Sequence, residues 1–176
     1  GYTKLSMKRV AKEAGVSEAT IFKYFEDKED LIDKCYYRVG LEVVRQFEKD
    51  TQANNNLYDS LQHIARTNFL RLKSNQNIWD IFTHDINQRI RKNSQVYKCK
   101  KRYETLLTKL IVMAQKNKEL IASVNPRTIL NMFFGPIEYI AIKYRMYGED
   151  FDIDENVNDI VNTIFRAYST KEVFKK

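Results

Sequence analysis

The segment 126–147 sets the strongest limit on the fold. Its side chains Ile129, Leu130, Met132, Phe133, Phe134, Ile137, Tyr139, Ile140, Ala141, Ile142, Tyr144 and Met146 are spaced so that, on a helix, they cover nearly the whole circumference. A helix apolar all round must be buried all round. Two arrangements meet that demand: a central core helix of a monomer, or a helix with one side on the core and the other on a second subunit. Asn125-Pro126 opens this helix, with proline at the first helical position, and Gly148 ends it. The next helix, over 154–170, carries Val157, Ile160, Val161, Ile164, Phe165 and Tyr168, a broader stripe than one core face requires. The pair therefore points to a two-helix dimer surface.

The remainder of the chain is also helical in pattern. Only 5 Gly and 2 Pro occur in 176 residues, too few turn formers for a many-stranded β protein. Apolar periodicity marks helices over 7–14, 18–25, 28–49, 57–73, 76–91 and 95–117, with the polar run 51–56 as the clearest linker. Ser6, Ser17 and Asp27 stand where the first three need caps. The expected fold is all-α. With 43% hydrophobic and 30% charged residues the chain is of globular composition, and no stretch approaches the ~20 apolar residues of a membrane span. Cys35 and Cys99 have no metal-ligand spacing and read as thiols of a cytoplasmic protein.

Charge is uneven along the chain. The formal net charge is +7. The first 25 residues hold Lys4, Lys8, Arg9, Lys12 and Lys23 against Glu13 and Glu18, and the stretch 87–102 holds seven Lys and Arg with no acid. Positive excess favours polyanions without naming one. The stretch 87–102 could touch DNA flanks, bind an anionic effector or be a solvated helix corner. At 10–22, Val-Ala-Lys-Glu-Ala-Gly-Val-Ser-Glu-Ala-Thr-Ile-Phe has the layout of a helix-turn-helix. Ala11 is small enough for close helix crossing, and Gly15 can take the positive φ of a sharp turn. Val10, Val16 and Ile21 fill the wedge, while Ser17 caps the second helix. That helix would enter the major groove. Catalysis has little support. His63 and His84 lack metal partners beyond the weak Asp80, His84, Asp85 grouping, and there is no Gly-rich phosphate loop or nucleophile elbow. No catalytic residue, metal or cofactor is expected.

The run from Met7 to Ile32, above all Thr-Ile-Phe-Lys-Tyr-Phe followed by Glu-Asp-Lys-Glu-Asp-Leu, resembles the DNA-binding domain of the TetR family of transcriptional regulators. The resemblance in motif covers residues 1–47; the rest matches in layout. It implies an N-terminal helix-turn-helix DNA-binding domain over 1–47 and a helical-bundle effector-binding and dimerisation domain over 48–176. Thr20, Phe22, Tyr24 and Lys28 fall at phosphate-contacting positions, Lys23 at a base-reading position and Glu18 near another. Phe22 lacks the tyrosine hydroxyl that the family more often has there. The family also has a helix ahead of Gly1-Tyr2, so the natural protein is expected to have residues upstream of this sequence.

The same resemblance implies a small-molecule effector held between helices of the second domain. Trp79, Phe82, Tyr103, Met113, Phe133, Phe134 and Glu138 are the candidate lining; plain core is the alternative for each aromatic. His84, Gln115 and Asn131 are further polar candidates. The expected protein is a cytoplasmic homodimer, joined through 126–147 and 154–170, that binds a palindromic operator in double-stranded DNA and is released by a small apolar or amphipathic effector. An effector-free architectural or protein-recruiting factor on the same fold is the alternative. A helical enzyme or carrier with an incidental helix corner is a second.

Overall fold

A computed structural model describes residues 5–53, 56–74 and 95–170. Regular structure among them is helical: α1 Met7–Glu13, α2 Glu18–Phe22, α3 Lys28–Ala53, α4 Leu57–Ser74, α5 Gln95–Lys116, α6 Pro126–Tyr147 and α7 Ile153–Tyr168. The expected helix over 76–91 lies outside the described residues. An isolated bridge pairs Leu120 with Ser169. No helix of the described residues is long and apolar enough to cross a membrane.

The described residues divide into two units, 5–44 with 95–101, and 45–53 with 56–74 and 102–170. The core of the first unit is small. Met7, Ala11, Ile21 and Leu31 are buried, with Leu5, Val10, Phe25 and Ile32 packed against them. Val16, expected in this wedge, is 41% exposed. It directly follows Gly15, whose φ of +68° turns the chain outward before Ser17. At the crossing of α3 and α5, Gly40 leaves room for Cys99. A Cβ on Gly40 would stand 3.2 Å from the Cys99 Cβ.

In the second unit, α4 packs along α7, and α6 packs against both. Leu61, Phe69, Leu72, Leu107, Ile111, Ile129, Phe133, Val157, Val161 and Ile164 are buried at this centre. The α4–α7 register is fixed by polar pairs one turn apart. The Tyr58 hydroxyl donates to Asn162 Oδ1 at 2.8 Å, Gln62 Nε2 donates to Asn158 Oδ1 at 3.0 Å, and Arg66 pairs with Asp154. Steps of four up α4 against steps of four down α7 are what two antiparallel helices require. Lys73 ties the 148–152 connection to α4, donating to Asp150 Oδ1 at 2.7 Å and to the Phe151 carbonyl at 2.8 Å.

The expectation that α6 is buried all round meets only half of its surface within one chain. Ile129, Leu130, Phe133, Ile137 and Ala141 are buried; Tyr139, Ile142, Met146 and Tyr147 are exposed. Asn125 caps the helix by accepting from the Arg127 N–H, and Gly148 closes it in the left-handed conformation.

Candidate nucleic-acid interface and effector site

Helix α2 has five residues, far fewer than an isolated helix needs to be stable. Its start is held by Ser17, whose Oγ accepts from the Thr20 N–H at 3.1 Å and lies 2.8 Å from the Thr20 hydroxyl. Ile21 is its one buried side chain. Glu18, Lys23, Phe22 and Tyr24 are exposed, the last two at 50% and 69%. Thr20 and Lys28 are half-buried. The exposed Phe22 and Tyr24 rings flank the exposed Lys23 in sequence. All six residues expected to meet DNA thus lie on α2 or the turn after it, or, for Lys28, at the first position of α3.

The turn after α2 is tied to α3. The Tyr24 and Phe25 N–H groups both donate to the Ile21 carbonyl, which ends the helix three residues earlier than the apolar spacing suggests. Lys34 Nζ donates to the Tyr24 carbonyl at 2.9 Å and to Asp30 Oδ2 at 2.8 Å. Asp30 Oδ2 also accepts from the Glu26 N–H at 3.0 Å. The hydrogen bond from Lys34 holds the Asp30 carboxyl below its ordinary range; partial burial opposes this, and the Glu26 N–H and the Lys34 charge reinforce it. Nothing in the apolar periodicity marks Lys34; the only sequence signal is its i+4 spacing from Asp30.

In the second unit an aromatic group joins three helices. Phe47 of α3 lies 4.6 Å from Tyr103 of α5, ring centre to ring centre, and Tyr103 lies 5.6 Å from Phe134 of α6. Phe134 stands edge-on to the buried Phe133 at 5.1 Å. Asn68 of α4 donates to the Tyr103 hydroxyl at 3.4 Å. Beside the rings, Arg102 donates to Glu48 Oε1 at 2.6 Å. The structure therefore brings Tyr103, Phe133 and Phe134 together and adds Phe47 of α3. Met113 is 56% exposed, and Glu138 is exposed. Trp79, Phe82 and His84 lie outside the described residues. Asn131 is exposed, while Gln115 donates to the Ile121 and Val124 carbonyls and so braces the α5–α6 connection. Among the described residues no group of three His, Cys, Asp or Glu is placed to hold a metal ion.

A Ser-capped second helix, a left-handed glycine turn and an outward aromatic and basic face make this a helix-turn-helix DNA-binding protein carrying a helical second unit. Residues 1–35 match the profile described as bacterial regulatory proteins of the tetR family, and residues 38–167 match the C-terminal region of YsiA-like proteins. The chain belongs to the TetR family of bacterial transcriptional regulators.

The fatty acid metabolism regulator protein of Bacillus subtilis (strain 168) is 20% identical over 172 residues, spanning 97% of this chain and 89% of that protein. Among solved structures, the Bacillus subtilis regulator FadR in complex with stearoyl-CoA superposes with a TM-score of 0.82 at 20% identity, covering 94% of this chain and 89% of that one. SmeT, the repressor of the Stenotrophomonas maltophilia multidrug efflux pump SmeDEF, gives 0.78 at 13% identity, covering 98% and 84%. These likenesses establish the shared fold.

Proposed function

We propose that the protein is a cytoplasmic, homodimeric repressor that binds a palindromic operator through α2 and is released by an amphipathic effector of the long-chain acyl-CoA class. The exposed Phe22, Lys23 and Tyr24, on α2 and the turn after it, carry the DNA half of this reading. In it, Thr20, Tyr24 and Lys28 hold phosphates, Phe22 packs on the backbone, Lys23 donates to a guanine edge and Glu18 accepts from a cytosine amine. Residues 1–47 act as the DNA-binding domain and residues 48–176 as the effector and dimerisation domain. The exposed stripe Tyr139, Ile142, Met146 on α6 supports a two-fold pairing of that domain.

The effector half rests on the aromatic group and on the stearoyl-CoA held by the similar Bacillus subtilis regulator. Tyr103 and Phe134 are only partly buried, so an acyl chain reaching between α5 and α6 meets them first. Parting Tyr103 from Phe134 acts on Phe47 and, through Arg102, on Glu48, both carried by α3, whose residues 28–44 belong to the first unit. Release needs only that the effector favour one setting of α3 over another.

The test is fluorescence anisotropy of a labelled duplex, recovered by the protein from a randomised pool, titrated with stearoyl-CoA and with free coenzyme A. Release by stearoyl-CoA alone is expected. Tight binding that neither ligand changes would overturn the effector half and leave an effector-free factor. Failure to enrich any duplex would overturn the DNA half.

A further inference from the structure

We propose that Lys34 is a positioning residue for DNA recognition: its ammonium fixes the peptide of Tyr24 to α3 and so sets the direction in which Lys23 and Tyr24 leave the reading helix. The proposal rests on the DNA-binding reading above.

The need for such a strut follows from α2 itself. Its only buried side chain is Ile21, so packing alone leaves it free to rock about that anchor. Its N-terminal end is held by Ser17. Its C-terminal end runs into a turn whose carbonyls have left the helical ladder. Lys34 reaches that turn from ten residues on and donates to the Tyr24 carbonyl at 2.9 Å. Two further contacts keep the ammonium there. Asp30 Oδ2 accepts from it at 2.8 Å, the Phe25 ring lies beneath it at 5.4 Å, and Phe25 packs on the core of the first unit. Asp30 is in turn fixed at both ends. Its N–H donates to Asp27 Oδ1 at 2.7 Å, and its carboxylate accepts from the Glu26 N–H. Every residue from 24 to 27 is thus tied to α3 or to the core. The side chain of Tyr24 itself stays outside at 69% exposure.

A strut differs measurably from a phosphate ligand. Losing a strut weakens binding to the preferred sequence and leaves binding to unrelated duplex, which is mainly phosphate attraction, nearly unchanged. Losing a phosphate contact weakens both and lowers the salt slope by about 0.9. The experiment compares wild type, Lys34→Met and Lys34→Arg on two duplexes across a salt series, one enriched by the wild type from a randomised pool and one scrambled. Circular dichroism monitors folding. For Lys34→Met the expected result is about tenfold weaker binding to the enriched duplex, with an unchanged salt slope and an unchanged scrambled duplex. Lys34→Arg, which keeps a donor for both acceptors, should recover most of the loss.

Equal weakening on both duplexes with a shallower slope would make Lys34 a phosphate ligand and overturn the proposal. So would wild-type behaviour of Lys34→Met. If Lys34→Met loses helicity, Asp30→Asn replaces it; a smaller loss confined to the enriched duplex supports the strut, and no loss overturns it. Should the wild type enrich no duplex, the DNA-binding reading falls and this proposal with it; an enriched duplex bound equally by wild type and variants sinks the proposal alone.

Discussion

Ser17 separates the stability of α2 from its use. Its Oγ accepts the Thr20 N–H at 3.1 Å, and its carbonyl accepts the Thr20 and Ile21 N–H groups at 3.0 and 3.3 Å. Ser17→Ala keeps the carbonyl contacts and removes the side-chain cap, at a cost of about 1 kcal/mol. For a chain of this size that lowers the melting temperature by about 2–4 °C and weakens DNA binding by about fivefold at most. Ser17→Asp restores an acceptor and adds an anion at a helix N-terminus, which contributes about 0.3–1 kcal/mol. Its melting temperature should equal or exceed that of the wild type.

DNA binding by Ser17→Asp should go the other way. A carboxylate about 4 Å from a phosphate costs about 1 kcal/mol in water-like surroundings and about 4 kcal/mol at an effective dielectric of 20. The Thr20 hydroxyl, 2.8 Å from the Ser17 oxygen, would also turn to donate to the new carboxylate and be lost to phosphate. Binding should fall at least about tenfold at low salt, and the gap to Ser17→Ala should narrow as the Debye length shrinks from about 10 Å at 0.1 M to 3 Å at 1 M. Thermal melts and anisotropy over a salt series measure both quantities on the same samples. A Ser17→Asp protein that binds as tightly as Ser17→Ala would mean that the start of α2 does not face phosphate, and the recognition assignment would fail.

Further outcomes follow from the burial and contacts of other residues. Lys28→Ala should weaken all duplexes alike and reduce the salt slope by about 0.9, whereas Lys23→Ala should relax preference at one base pair, both read by competitive binding. Phe133→Ala, at a fully buried site, should cost about 3–5 kcal/mol in urea denaturation; a loss below about 1 kcal/mol would contradict its place at the centre of the second unit. Because the Lys34 hydrogen bond lowers the Asp30 pKa beneath 3.8, the unfolded chain takes up this proton first on acidification. The stability the pair contributes is therefore present above 3.8 and is lost as the pH falls through the folded-state value, so the acid limb of a stability–pH curve should be shallower in Asp30→Asn. Ile142→Asp, on the exposed stripe of α6, should shift the protein from dimer to monomer in light scattering without loss of helicity.

The features legible in the sequence are those decided by a few neighbouring residues. Ser6, Ser17, Asn125-Pro126 and Gly148 bound their helices as expected, because a cap needs only one side chain and the N–H groups beside it. Helix α3 runs on to Ala53, into the run expected as linker, because Asp50, Thr51 and Gln52 only mildly disfavour a helix and no Gly or Pro intervenes. The exposure of Met113 was also within reach: it stands two residues, about 200° of helix, from the buried Ile111. Partners across helices were not legible. Periodicity tells which face of α4 is buried, yet nothing in it matches Tyr58 to Asn162 or Gln62 to Asn158.

The same limit explains why the recognition helix was readable and its support was not. A five-residue helix that buries Ile21 alone gains too little from packing to hold its own angle. The side chains that would increase that packing, Phe22 and Tyr24, are the exposed ones that the proposed DNA contact uses. The chain resolves the conflict at the helix ends rather than on its faces, with a hydroxyl at position 17 and an ammonium from position 34. The first acts over three residues and shows in sequence as a cap. The second acts over ten residues, through a carbonyl that every residue type possesses, and becomes visible only when α3 is laid beside the turn.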